Sequence, residues 1–208
     1  MTKVAILWHM HQPYYEDLAT GEHLLPWVRL HALKDYFGMV ALLREFPRVR
    51  VTFNLVPSLI EQVEDYTNGM VRDRFLEASY KPAQELTDAD KQFIRDSFFM
   101  IHRDRCITIH PRYYELLLKK EAGRPFTTQD YLDLQVWFNL AWIDPYFRED
   151  LPEFRHAIQK GRFFSEEEKR AILARSLQIL EDVIPTYRRF QESGQVEVVV
   201  SPYYHPIL

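Results

Sequence analysis

The sequence predicts an α/β protein, the first part of a parallel barrel or sheet with a long, mainly helical insertion between its second and third strands. Three observations carry this. Two β-type apolar runs flank a stretch of helical periodicity, which makes a βαβ unit with parallel strands and a right-handed crossover. A third β-type run returns only after roughly a hundred residues of helical character, far longer than an ordinary connection. Each of the three runs also carries polar residues of one parity, so each has one apolar and one polar face.

The first run, "KVAILW" (Lys3 to Trp8), is apolar and leads straight into the polar stretch "HMHQPYY". From Trp27 to Pro47, apolar residues recur at helical spacing (Leu33, Phe37, Val40, Leu43), and the helix should end before the proline. "VRVTFNLVP" (Val49 to Pro57) has strand character, and the helix after it has Ser58 as a plausible cap with Glu61 three residues on. Helical periodicity then dominates from Asp88 to Gln191. Its last segment reads Ser165 as a cap with Glu168 three later, and Gly194 as the stop. "QVEVVVSPYY" (Gln195 to Tyr204) is the third strand.

In the first strand Leu7, His9 and His11 share a parity. In the second, Arg50, Thr52 and Asn54 stand opposite Val49, Val51 and Phe53. In the third, Glu197, Val199 and Ser201 stand opposite Val196, Val198 and Val200. Buried polar groups cost free energy unless paired, so three strands agreeing in this way point to a pocket rather than to packing. The C-terminal ends of parallel strands are where barrels and open α/β sheets place their sites.

Composition narrows the classes. A net charge of −4 lacks the basic excess of a nucleic-acid binder. Cys106 is the one cysteine, which rules out a disulfide framework and a thiolate metal cluster. No apolar run approaches membrane-spanning length, and Val4 to Trp8 is too short for a signal-peptide core, so a soluble cytoplasmic protein is expected. Aromatics at 14% suit either sugar-facing surfaces or an ordinary core.

Several stretches resemble one known family. "HQP" (His11 to Pro13) at the end of a first strand is similar to the first signature of family 57 glycoside hydrolases, and "GQVEVVVSPYYHPIL" (Gly194 to Leu208) to their second. "WVRLHALKDY", "FNLVPSLIEQ" and "LQVWFNLAWIDP" also resemble stretches of the amylopullulanase-like and α-amylase-like members. The resemblance implies a (β/α)7 barrel acting on α-glucans (starch, glycogen, maltooligosaccharides) with retention of configuration, by hydrolysis or glucanotransfer. No cofactor or metal is expected, and the net charge and the lack of a long apolar run argue against nucleic-acid and membrane partners. Two carboxyl groups about 5 Å apart would do the chemistry.

In the family the nucleophilic glutamate and the acid aspartate belong to later signatures, so both are expected beyond Leu208. Residues 1–208 would then be the N-terminal part of one catalytic barrel, with 88–191 as a helical insertion, and would be catalytically silent alone. Glu197 matches the second-signature glutamate, with a role in binding sugar hydroxyls or tuning neighbouring carboxyls. His11 and Gln12 are expected to hydrogen-bond sugar hydroxyls, and His9 shares their pocket. Tyr204 and His205 belong to the third loop at the rim. Trp27, Arg29 and His31 are further substrate-binding candidates.

Two alternatives stand beside this. His9 and His11, two apart on one strand face, have a spacing that suits two imidazoles on one zinc, as in a metal-dependent hydrolase, although no nearby Asp or Glu supplies a third ligand. A non-catalytic carbohydrate-binding domain is the other.

Overall fold

The computed structural model describes residues 4–205. Six strands occur among them: β1 (Leu7–Met10), β2 (Glu16–Asp17), β3 (Glu22–His23), β4 (Val51–Leu55), β5 (Arg72–Asp73) and β6 (Val196–Val199). The helices are α1 (Trp27–His31), α2 (Phe37–Ala41), α3 (Pro57–Thr67), α4 (Arg74–Tyr80), α5 (Asp88–Ser97), α6 (Pro111–Glu121), α7 (Thr128–Leu140), α8 (Pro145–Asp150), α9 (Pro152–Lys160), α10 (Glu166–Glu181) and α11 (Val183–Glu192). The protein is mixed α/β with a parallel three-stranded sheet, and no helix among the described residues is long and apolar enough to cross a membrane.

The chain divides into two compact units. The first comprises residues 1–73 and 177–208, the second residues 74–176.

In the first unit β1, β4 and β6 lie in the order β1–β4–β6, all parallel, so the second strand read from the sequence is the central one. The first strand sits further along than its apolar run suggests. It covers Leu7 to Met10 and so takes His9 into the ladder, while Lys3 lies outside the described residues. Hydrogen bonding to β4 sets this register, because Leu7 pairs with Thr52 and Met10 with Leu55. One face of the sheet is core: Met10, Val51, Phe53, Leu55 and Val196 are all under 9% exposed. The ring of Tyr187 on α11 meets Phe53 edge-on at 5.0 Å.

The helix between the first two strands runs α1, a π-helical turn (Ala32–Tyr36), α2 and a 3-10 turn (Leu42–Glu45), and it ends before Pro47 as the proline dictates. The helix after β4 corrects an expectation. Ser58 does not cap it: Val56 is the N-cap, Pro57 holds the first turn, and Ser58 is buried one turn position later. The extended backbone before a proline moved the helix start back by two residues. A small second sheet, β2–β3–β5, belongs to the same unit.

The second unit is helical. Capping boxes start α5 (Thr87 with Asp90) and α7 (Thr127 with Asp130). At α10 the nitrogen of Glu168 donates to Ser165 Oγ at 3.2 Å and that of Ser165 to Glu168 Oε2 at 2.7 Å, the reciprocal pair expected from the sequence. The periodic run beyond Ser165 is two helices meeting at Asp182: α10, which begins in this unit, and α11, which belongs to the first unit and is ended by Gly194 (φ 73°). In α7 every residue from Asp130 to Leu140 is buried. Its aromatic side chains are core: Phe138 stacks on Phe98 at 4.2 Å and Trp137 on His110 at 4.5 Å.

Candidate functional site

Parallel pairing in register puts side chains of equal height beside one another. Leu7, Thr52 and Glu197 form one row across the sheet, and His9, Asn54 and Val199 the next, one pleat (~7 Å) nearer the strand C-termini. The parity read from the sequence therefore holds: the polar residues of all three strands share a face, opposite the core.

That face is wired. Thr52 Oγ1 donates to Glu197 Oε2 at 3.2 Å. Asn54 Oδ1 lies 2.6 Å from His9 Nδ1 and accepts from Ser201 Oγ at 3.0 Å, while Asn54 Nδ2 donates to the Val199 carbonyl at 3.4 Å. An amide oxygen only accepts, so His9 Nδ1 carries the proton of this bond. His9 is exposed.

Past the strand ends three imidazoles gather. The rings of His9 and His11 are 5.8 Å apart, those of His9 and His205 4.5 Å, and those of His11 and His205 5.1 Å. His205 reaches this position from a turn in which its nitrogen donates to the Pro202 carbonyl at 2.8 Å and its φ is 47°, in the left-handed region uncommon for non-glycine residues. Burial, then the proximity of His205 and of His9, holds the His11 imidazole below its ordinary 6.5, so it is neutral near pH 7. Among the described residues no group of three or more His, Cys, Asp or Glu side chains is arranged to hold a metal ion. Tyr204 meets Tyr203 edge-on at 4.7 Å and Tyr14 at 5.9 Å, and the Tyr14 hydroxyl donates to Glu16.

Gln12 stands apart from this cluster. It is 8% exposed, and both ends of its amide are bonded, Nε2 to the Tyr36 hydroxyl at 2.7 Å and Oε1 to the Tyr15 hydroxyl at 2.7 Å. The side chain expected to reach a sugar instead pins the loop from behind. Tyr36 also donates to the His11 carbonyl, and burial pushes its own hydroxyl up to about 12. Gln62, fully buried, completes the clamp: Oε1 accepts from the Tyr15 nitrogen at 2.9 Å, and Nε2 donates to the Pro13 carbonyl at 3.0 Å.

The remaining candidates lie elsewhere. Arg29 is 1% exposed, and its Nε lies 3.2 Å from Asp73 Oδ2, an oxygen that also accepts from the Tyr66 hydroxyl. Burial in the core, against the expectation of a substrate-binding side chain, removes Arg29 from the histidine cluster. Trp27 and His31 are neighbours of one another at 6.4 Å, and His31 stands 6.3 Å from Tyr36, so they adjoin the clamp rather than the three imidazoles. Burial would raise Asp35, but hydrogen bonds from His31 and Lys34 outweigh it and hold the carboxyl low.

The sequence reading missed Tyr15, Tyr36 and Gln62. A signal existed for Gln62: it falls with Leu59, Val63 and Tyr66 on the buried stripe of α3, where a polar residue needs partners. A cleft of about 480 Å³ opens beside Ile6, Arg50, Thr52 and Glu197, toward the strand N-termini and away from the imidazoles.

A parallel three-stranded sheet with a hydrogen-bonded polar face and three histidines gathered past its C-terminal edge defines a mixed α/β protein. Residues 5–208 match the family model for glycosyl hydrolase family 57, and the chain belongs to that family. Comparison with curated proteins and with solved structures gave no match.

Proposed function

We propose that the chain forms one wall of an α-glucan cleft in a retaining glycoside hydrolase or glucanotransferase, its three parallel strands being the first three of a (β/α)7 barrel with the helical segment inserted in it. Family membership supports glycoside chemistry and a carbohydrate substrate. The observation that carries the finer reading is the cluster of His9, His11 and His205 above Asn54 and Ser201, at the strand ends where such barrels bind substrate.

In this reading each group has a role its chemistry allows. His9 Nε2 accepts a hydrogen bond from a sugar hydroxyl, its proton being held on Nδ1 by Asn54. Neutral His11 does the same or donates, and His205 and Tyr204 form the rim. Glu197 binds a hydroxyl deeper in the cleft or tunes a neighbouring carboxyl. Gln12 positions the His11 backbone through Tyr36 and does not touch the sugar. Retaining cleavage needs two carboxyl groups about 5 Å apart, one attacking the anomeric carbon and one protonating the leaving oxygen. On the polar face of β1, β4 and β6 Glu197 is the single carboxylate, so the reacting pair is assigned to parts of the enzyme outside these strands.

The test has two arms on the purified 208-residue chain. Maltooligosaccharides should shift the imidazole proton resonances of His9, His11 and His205 without being cleaved. Cleavage above a buffer control would defeat the assignment of the reacting pair, and unmoved imidazole resonances would defeat the cleft.

A further inference from the structure

We propose that the helical unit carries a second ligand site, a cleft that takes the oxyanion group of a small phosphorylated or carboxylated molecule. The cleft has a volume of about 660 Å³ and is walled by α8, α9 and the residue preceding α6, within the size range of small-molecule sites. His110, Arg148, Arg155 and Gln159 supply its donors, and Pro145 and Ile158 its apolar wall.

His110 is the first reason. It is 9% exposed, it precedes α6 without capping it, and its Nε2 is buried without a hydrogen-bond partner. Buried ring nitrogens are nearly always satisfied, and this one, on a residue that lines the cleft, is left without a partner. The ring is fixed by stacking on Trp137 at 4.5 Å, so that nitrogen is held in place before anything binds.

Arg148 is the second. Its guanidinium donates to the carbonyls of Ile143 (2.7 Å, from Nε) and Ala141 (2.8 Å, from Nη2), at the end of α7. Among the described residues no carboxylate forms an ion pair with it, nor with Arg155. Backbone carbonyls orient the fork but do not neutralise it. Burial pulls this arginine below its ordinary range, outweighing the opposing pull of Cys106 and Asp144. Burial, then Arg148 itself, pushes the His110 imidazole down to about 4, so Arg148 is the charge that the ring feels. Glu149 and Asp150 also border the cleft and, like Arg155, are solvent-exposed, where water screens charge, which leaves half-buried Arg148 as the least screened charge of the lining. A planar fork, a fixed ring nitrogen and a second arginine on one concave surface match an oxyanion, whose several lone pairs take donors from different directions. The remaining volume accommodates the body of the molecule. Nothing here depends on the glycan reading of the first unit.

The test is calorimetric titration of the 208-residue chain with inorganic phosphate and, separately, with acetate. One of them should bind saturably, and which one does assigns the site to phosphorylated or to carboxylated ligands. His110→Phe, which keeps the stack on Trp137, should weaken binding about tenfold, and Arg155→Gln at an exposed position by roughly threefold. Both are paired with a urea unfolding curve to establish that the fold is kept. On binding, the His110 resonance should titrate higher than about 4, because an anion beside the ring favours its proton. The proposal is overturned if neither anion binds, if both variants bind as the parent does, or if the His110 titration does not move.

Discussion

Asp130 offers the sharpest quantitative test of how the helical unit is held. Its side chain is 7% exposed and accepts from Arg112 Nη2 at 2.7 Å, Lys119 Nζ at 2.6 Å, and the nitrogen and hydroxyl of Thr127 at 2.7 and 2.9 Å. Burial alone would raise this carboxyl, but the bonds from Lys119, Thr127 and Arg112 outweigh it and bring it from 3.8 to about 2. A depressed carboxylate contributes stability that is fully present above its unfolded value. That contribution, here about 2 kcal/mol, is lost as pH falls from about 4 through 2. Asp130→Asn keeps the shape and one acceptor for the Thr127 cap, and Arg112 retains Asp133 and Glu115. Urea unfolding followed by circular dichroism should show the variant less stable by about 2 kcal/mol at pH 7, with the gap closing toward pH 2. A gap that is the same at both pH values would refute the charge argument, and a gap under about 0.5 kcal/mol at pH 7 would refute the whole account.

Three further outcomes are expected. Arg29→Met leaves Asp73 charged in the core and should cost about 3–5 kcal/mol in the same assay; a loss below about 1 kcal/mol would mean that the pair is not buried as described. Gln62→Leu removes the clamp on residues 13–15 and should cost about 2 kcal/mol while broadening the His11 resonance; an unchanged His11 signal would uncouple clamp from cluster. In a proton NMR titration His11 should have its midpoint below 6.5, and His205→Ala should move it upward by removing a like-charged neighbour; a parent midpoint at or above 6.5 would contradict the cluster geometry.

The parts legible in the sequence were those governed by local rules. Alternation along each strand put His9, Asn54 and Glu197 on one face. The Ser165–Glu168 box and Gly194 marked helix ends because their chemistry lies within a few residues. What stayed hidden required partners far apart in the chain. Gln12 looks like a sugar ligand until Tyr36, twenty-four residues on, takes its amide. Arg29 looks like a substrate-binding candidate until Asp73, forty-four residues on, takes its guanidinium. The start of the first strand was misjudged for the same reason, since pairing with Val51–Leu55, not local apolarity, sets its ends.

The first unit is built from two stretches separated by the helical one, and that has a kinetic consequence. Thr52 and Glu197 must meet across 145 residues, whereas residues 74–176 are contiguous and largely helical. Local contacts form quickly and distant strand pairings slowly, and a chain emerging from the ribosome presents its segments in order. The helical unit should therefore fold while β1 and β4 wait with an open edge for β6. The row containing His9 and Asn54 is completed only when Val199 arrives, so the polar side of this three-stranded sheet forms after the helical unit.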